Sequence, residues 1–372
     1  MKRFLAILIA FAAVFSTFET RALAADAAPD ISAAECVLIH CGDGEVLYSK
    51  DADRRALIAS TTKIMTAIVV IENCDADEVV EIKPEYCGIE GSSMYLKAGE
   101  KYTVEQLLTG MMLNSGNDAA VALACYTAGS VDEFAAMMNE KAKLLGLTGS
   151  SFKNPNGLDE EGHYSTAGDL ARLTVYCMAD LRFKALVSTK SSTVNGKTYV
   201  NHNKLLWNCP GCIGVKTGYT LACGRSLVSC CERDGMRLVC VTLGDPDDWR
   251  DHQNLYDWAF ENYGYRLIIG GSMALSVPVV SGTETAVPVR PSREIRLFLP
   301  SDARVTYTVE LPRFVFAGVN AGDEAGRITA YVNGEQAASA QLVYGDSVAQ
   351  QSADKVSSWA MLSKLGERYF SA

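Results

Sequence analysis

The chain has 372 residues, 48% of them hydrophobic and 21% charged, with a formal net charge of −10. This apolar content is enough for one large core and a smaller appended domain and excludes a disordered chain. The acidic balance leaves no electrostatic footprint for nucleic acid or for broad binding to anionic membranes.

Lys2 and Arg3 precede an apolar run over 4–18, and Ala22-Leu23-Ala24 closes the segment. This reads as a secretory signal peptide over 1–24, cleaved after Ala24, and places the mature protein outside the cytoplasm. The run falls short of the roughly 20 apolar residues of a spanning helix.

Residues 35–48 read as a strand pair turned at Gly42-Asp43-Gly44. The segment 64–71 is apolar on every side and is expected to be a buried central helix. Helical periodicity continues over 103–113 and 117–128, around the polar stretch Asn114-Ser115-Gly116-Asn117, and over 131–145 and 165–179. After Trp207, residues 214–220, 226–231 and 237–243 read as strands, the last two joined at Asp234-Gly235, and 251–261 as a closing helix. From about residue 276 short alternating strands predict a small all-β domain over 276–346, with a hairpin at Asn333-Gly334. The catalytic domain is accordingly expected over 25–272. In the tail, 350–372, Val356, Trp359, Leu362, Leu365 and Tyr369 share one helical face, which suits either a membrane surface or docking onto the protein itself.

Ser60-x-x-Lys63 places a hydroxyl and an amine one turn apart where the buried helix begins, as a serine nucleophile with a lysine base requires. A helix N-terminus also favours developing negative charge. Ser150-x-x-Lys153 and Ser352-x-x-Lys355 match the same pattern, but neither precedes a buried helix. Specificity comes from Ser115-x-Asn117 and Lys216-Thr217-Gly218 downstream, in the order of the penicillin-binding and β-lactamase motif set.

Lys63 must be neutral to take the Ser60 proton, and both burial and the Lys216 cation depress its pKa. Ser115 is expected to relay a proton to the leaving group and Asn117 to bind a backbone amide of the substrate. Gly218 leaves the edge strand open to substrate. The N–H groups of Ser60 and Tyr219 are the expected oxyanion hole, and Lys216, Thr217 and Arg250 the groups for a substrate carboxylate. For Arg250 a surface ion pair with Asp247 or Asp251 is an equal alternative.

On these residues the chain resembles the low-molecular-mass penicillin-binding proteins of the serine D-alanyl-D-alanine carboxypeptidase family. Further blocks carrying the resemblance are Asn154-Pro155-Asn156-Gly157-Leu158-Asp159 and His163-Tyr164-Ser165-Thr166-Ala167. It spans roughly 33–270. It implies an α/β (α+β) fold with a β-lactamase/transpeptidase-like antiparallel sheet flanked by helices, followed by a small all-β C-terminal domain. It also implies removal of terminal D-alanine from peptidoglycan stem peptides through an acyl-enzyme on Ser60, inhibition by β-lactam antibiotics, no cofactor or metal, and a bacterial cell-wall or membrane-surface location. Asn156 departs from the histidine often found in the family, and Cys209 and Cys212 from its usual aromatic and aliphatic residues.

Three rival readings are weaker. A Ser-His-Asp hydrolase lacks a G-x-S-x-G elbow, and His163 reads as structural. A β-lactamase needs a glutamate in an E-x-x-L-N setting, which Asp159, Glu160 and Glu161 do not provide. A catalytically silent wall-binding protein would not be expected to keep Ser60, Lys63 and Lys216 intact. The twelve cysteines do not form an obvious disulfide framework: Cys74, Cys125, Cys177 and Cys240 sit in apolar segments, where cysteine acts as a small hydrophobe. Cys209-Pro-Gly-Cys212 could be a redox dithiol or half a metal site, but without a second ligand pair it is expected only to stiffen its loop.

Overall fold

A computed structural model describes residues 27–351. The expected signal peptide and nearly all of the expected tail lie outside the described residues. Two compact units divide at Asn262/Tyr263. No helix among the described residues is long and apolar enough to cross a membrane.

In chain order the first unit contains β1 (Glu35–His40), β2 (Val46–Lys50), α1 (Lys63–Asn73), β3 (Val79–Glu81), β4 (Lys101–Thr103), α2 (Val104–Leu113), α3 (Asn117–Ala128) and α4 (Val131–Leu144). It continues with α5 (Ala167–Cys177), α6 (Leu181–Ser188), β5 (Ser191–Val194), β6 (Lys197–Val200), α7 (Leu205–Asn208), β7 (Cys212–Thr220), β8 (Gly224–Arg233), β9 (Met236–Leu243) and α8 (Asp248–Asn262). Five strands form an antiparallel sheet in the order β2-β1-β9-β8-β7, so β7 is an edge strand. β1 is buried throughout and β9 nearly so, because helices cover both faces of the sheet. This is the expected antiparallel sheet flanked by helices.

Helix α1 is buried from Lys63 to Ile71. A helix with no polar face must be enclosed on all sides, and α2, α3, α4, α5 and α6 pack around it. Thr103 caps α2 in a full capping box with Gln106. Ser130, Thr166 and Asp180 cap α4, α5 and α6 by accepting from the backbone N–H three residues on. α6 and the β5–β6 hairpin are additions to the sequence reading.

Asp118 is fully buried and satisfied by four donors. Its carboxylate accepts from Ser93 Oγ at 2.7 Å and from the backbone N–H of Met94, Leu96 and Ala119 at 2.9, 3.0 and 2.9 Å. It thereby fixes the loop at 92–96 against the start of α3.

The second unit contains β10 (Tyr263–Ile269), β11 (Leu275–Val280), β12 (Ala286–Pro291), β13 (Ile295–Pro300), β14 (Val305–Glu310), β15 (Val315–Phe316), β16 (Glu324–Val332) and β17 (Glu335–Tyr344). Six strands form a sheet in the order β14-β16-β17-β12-β11-β15, and β10 pairs with β13. The β16–β17 hairpin turns at Asn333-Gly334, both with positive φ. The sequence reading assigns residues up to 272 to the first domain, whereas in the structure the division falls at Asn262/Tyr263. Residues 263–269 form β10, whose only strand partner among the described residues is β13 of the second unit.

Replacing Asp118 by alanine strands buried N–H groups, and is expected to cost roughly 3 kcal/mol of stability. Urea or thermal unfolding of the purified variant checks this; an unchanged midpoint would remove Asp118 from the supports of the site.

Candidate active site

The chain enters α1 through a 3-10 turn, Ala59–Thr62, so Ser60 and Lys63 sit three residues apart where side chains at i and i+3 eclipse. Lys63 Nζ lies 2.9 Å from Ser60 Oγ, 2.7 Å from Asn117 Oδ1 and 2.6 Å from the Asn156 carbonyl oxygen. The Asn117 amide is oriented by its own nitrogen, which donates to the Glu90 carbonyl at 2.6 Å, so its oxygen faces the lysine. Lys63 is fully buried, and its pKa lies well below the usual lysine range. Burial is the main cause and the Lys216 cation adds to it, while Asp118 opposes.

A neutral amine has two N–H donors and one lone pair. Asn117 Oδ1 and the Asn156 carbonyl can only accept, so they take the two donors. Of the three neighbours only the Ser60 hydroxyl can donate, and the remaining lone pair is left to it.

Two glycines allow this packing. Gly157 has φ +84°, and a Cβ there would stand 1.9 Å from the Ala59 carbonyl oxygen. Gly218 would place a Cβ 3.0 Å from the Ile58 carbonyl oxygen and 3.2 Å from the backbone nitrogen of Ser60. The bare Cα of Gly218 therefore makes room for the turn carrying Ser60, and Gly218 also lines the groove. The loop 154–157 is pinned by Thr66 Oγ1, which donates to the Pro155 carbonyl at 2.6 Å, and by Asn154 Oδ1, which accepts from Gly157 N–H at 2.8 Å. Only the carbonyl of Asn156 meets Lys63; its side chain accepts from Leu158 N–H, so the departure from histidine leaves the lysine contact intact.

His163 accepts at Nδ1 from Lys153 N–H at 3.1 Å, which leaves Nε2–H to donate to Thr62 Oγ1 at 2.8 Å. Burial pushes its pKa down to about 4, so it is a neutral brace between the loop and the catalytic turn.

Ser60, Ser115, Thr217, Gly218 and Tyr219 open onto one groove of about 570 Å³. Ser115 has φ +59°, an unusual backbone conformation for a residue with a side chain. Lys216 lies behind the groove, 1% exposed, and burial alone lowers its pKa to about 7. Asn117 is also behind it, with both ends of its amide engaged within the protein. Arg250 is not a lining residue: its side chain is 67% exposed and forms an ion pair with Asp247 at 2.7 Å.

The groove also has walls that the sequence did not indicate, from Ser92, His202, Arg225, Asp248 and Trp249. Arg225 stands opposite Tyr219 across the β7–β8 pair, ion-paired with Asp248 and stacked over Trp249. Only strand register and the start of α8 bring these residues together. The decoy serine Ser150 is engaged by Ser165 and Asp169, and the decoy at Ser352 lies outside the described residues.

A serine hydroxyl facing a buried amine whose proton affinity is lowered, beside a second lysine on an edge strand, is the arrangement of a serine–lysine acyl-transfer hydrolase. A family model described as D-alanyl-D-alanine carboxypeptidase matches residues 22–247, and the chain belongs to that family of serine hydrolases. The chain is 33% identical to the D-alanyl-D-alanine carboxypeptidase DacF of Bacillus subtilis over 82% of each chain. It is 32% identical to DacA of Escherichia coli, covering 76% of this chain and 75% of that one. Among solved structures it resembles penicillin binding protein 6B from Escherichia coli, with a TM-score of 0.69 and 28% identity over 85% of this chain and 96% of that one.

Gly157→Ala should force the Ala59 carbonyl away and misalign Ser60. Penicillin acylation is expected to slow by at least about tenfold, roughly 1.4 kcal/mol of barrier, as stopped-flow labelling would measure. An unchanged rate would show that the turn tolerates the displacement.

Proposed function

We propose that this enzyme removes the terminal D-alanine from peptidoglycan stem pentapeptides through an acyl-enzyme on Ser60, outside the cytoplasm, and that β-lactams acylate the same hydroxyl. The observation that carries the reading is the buried Lys63 amine, 2.9 Å from Ser60 Oγ and held by two groups that can only accept, so that in its neutral form the lone pair is left to Ser60.

In this mechanism Lys63 takes the Ser60 proton as Oγ attacks the penultimate carbonyl. The N–H groups of Ser60 and Tyr219 hold the oxyanion, and Ser115, facing the groove, passes a proton to the departing D-alanine nitrogen. Asn117 is a positioning residue for Lys63. Lys216 and Thr217 receive the terminal carboxylate, while Arg250 stays in its surface pair with Asp247. Water then attacks the ester.

Deacylation of the penicilloyl enzyme is expected to be slow. Asp159 engages Thr220 and Glu160 engages Asn154, and neither carboxylate lines the groove. An N-terminal signal sequence supports export, and the acidic chain gives no support for nucleic-acid partners.

The deciding assay is D-alanine release from a pentapeptide by wild type and Ser60→Ala: release should vanish in the variant, and persistence would move the nucleophile elsewhere.

The two lysines should separate by pH. Lys63 acts when deprotonated, so the second-order acylation rate rises with pH as Lys63 loses its proton. Lys216 acts when protonated, so the rate falls as pH rises through about 7. Lys216→Arg should retain part of the rate and lose the alkaline limb, because guanidinium stays charged. Lys63→Arg should nearly abolish acylation at every pH. Penicillin acylation measured across pH checks both variants, and equal residual rates would mean that the base is misassigned.

A further inference from the structure

Away from the groove, three thiols meet where β7 begins. Cys209 follows α7, Cys212 opens β7, and Cys231 stands opposite Cys212 on β8. The sulfurs of Cys209 and Cys231 are 3.6 Å apart. The guanidinium of Arg233 reaches Cys209 Sγ at 3.7 Å and is itself held by the Pro210 carbonyl and Asp257.

The hydrogen bond from Cys231 brings the Cys209 thiol down to about 7, with Arg233 acting in the same direction against burial. Burial pushes Cys231 up. Cys209 is thus the thiolate of the pair and Cys231 its donor. Cys209 itself is 5% exposed, but Asn208, Pro210 and Gly211 around it are exposed, so only an exposed loop separates the thiol from solvent. Among the described residues no group of three or more His, Cys, Asp or Glu side chains is placed to hold a metal ion.

We propose that Cys209 and Cys231 form a thiol–disulfide exchange site, which a low-molecular-mass disulfide oxidises to a Cys209–Cys231 cross-link. The Cys209 thiolate attacks one sulfur of the reagent, forming a mixed disulfide and expelling the other half as a thiolate. Cys231 gives its proton to that thiolate and attacks Cys209 Sγ, which expels the second half. One cysteine thiolate and one thiol are oxidised, and the reagent's disulfide is reduced to one thiol and one thiolate, which takes its proton from solvent. The sulfurs must close from 3.6 Å to about 2 Å. The bond would staple the entry of β7, the strand bearing Lys216, Thr217 and Gly218, to β8, and it would constrain the unfolded chain.

The test incubates native protein with oxidised glutathione, blocks remaining thiols by alkylation and maps peptides by mass spectrometry. The expected product is a Cys209–Cys231 link, reversed by dithiothreitol and accompanied by a higher melting temperature. Cys231→Ser should stop at a stable glutathione adduct on Cys209. Cys209→Ser should give neither product while still binding labelled penicillin, which reports that it is folded. A Cys209–Cys212 link overturns the proposal, as do adducts confined to Cys41, Cys87, Cys125 or Cys223. If Cys231→Ser does not fold, the wild-type link map decides alone.

Discussion

The structure turns on one buried amine. An ammonium stripped of water costs several kcal/mol unless it is fully compensated, and burial together with a second lysine tilts Lys63 toward the neutral form. Two fixed acceptors take its N–H groups, a second lysine raises the cost of a charge, and the one neighbour able to donate is the hydroxyl to be activated. An apolar helix excludes water beneath the amine. The glycines at 157 and 218 let the loop and the edge strand close on either side of the turn. Burial that would be a defect elsewhere therefore sets the proton affinity of the site.

This arrangement needs stiffness, because a lone pair must stay aimed at one oxygen. The loop bearing the Asn156 carbonyl is tied by Thr66 and Asn154, and the turn is tied by His163 through Thr62. Asn117 is tied to Glu90, and Asp118 gathers the donors of the loop at 92–96. Each tie uses a neutral hydrogen bond or a fully satisfied carboxylate, so none leaves an unpaired charge near the amine.

How much of this was legible in the sequence follows from the range of each interaction. Ser60 and Lys63 are local, and an apolar run directly after them identifies the helix they open. The strands at 214–220, 226–231 and 237–243 were legible because turns and apolar texture are local too. The Asn156 carbonyl is not a side-chain signal at all; it reaches Lys63 across 93 positions. Arg225 enters the groove because it lies opposite Tyr219, a matter of register that no single strand encodes. The division at Asn262/Tyr263 has no local signal, because β10 directly continues the chain from α8 with no break in composition to mark it.

Strain points the same way as the hydrogen bonds. Ala59 and Ser115 both hold positive φ, at 45° and 59°, conformations that cost a side-chain-bearing residue on the order of 1 kcal/mol. Other such residues, Asp234 and Asn333 among them, sit in hairpin turns, where the conformation is an ordinary requirement of chain reversal. Ala59 precedes the nucleophile and Ser115 faces it across the groove, where no hairpin demands such a backbone. The large core around α1 over-determines these two positions and can hold them. Stability drawn from an apolar interior is thereby spent on presenting two hydroxyls to the same space, one beside the amine and one positioned for the leaving group.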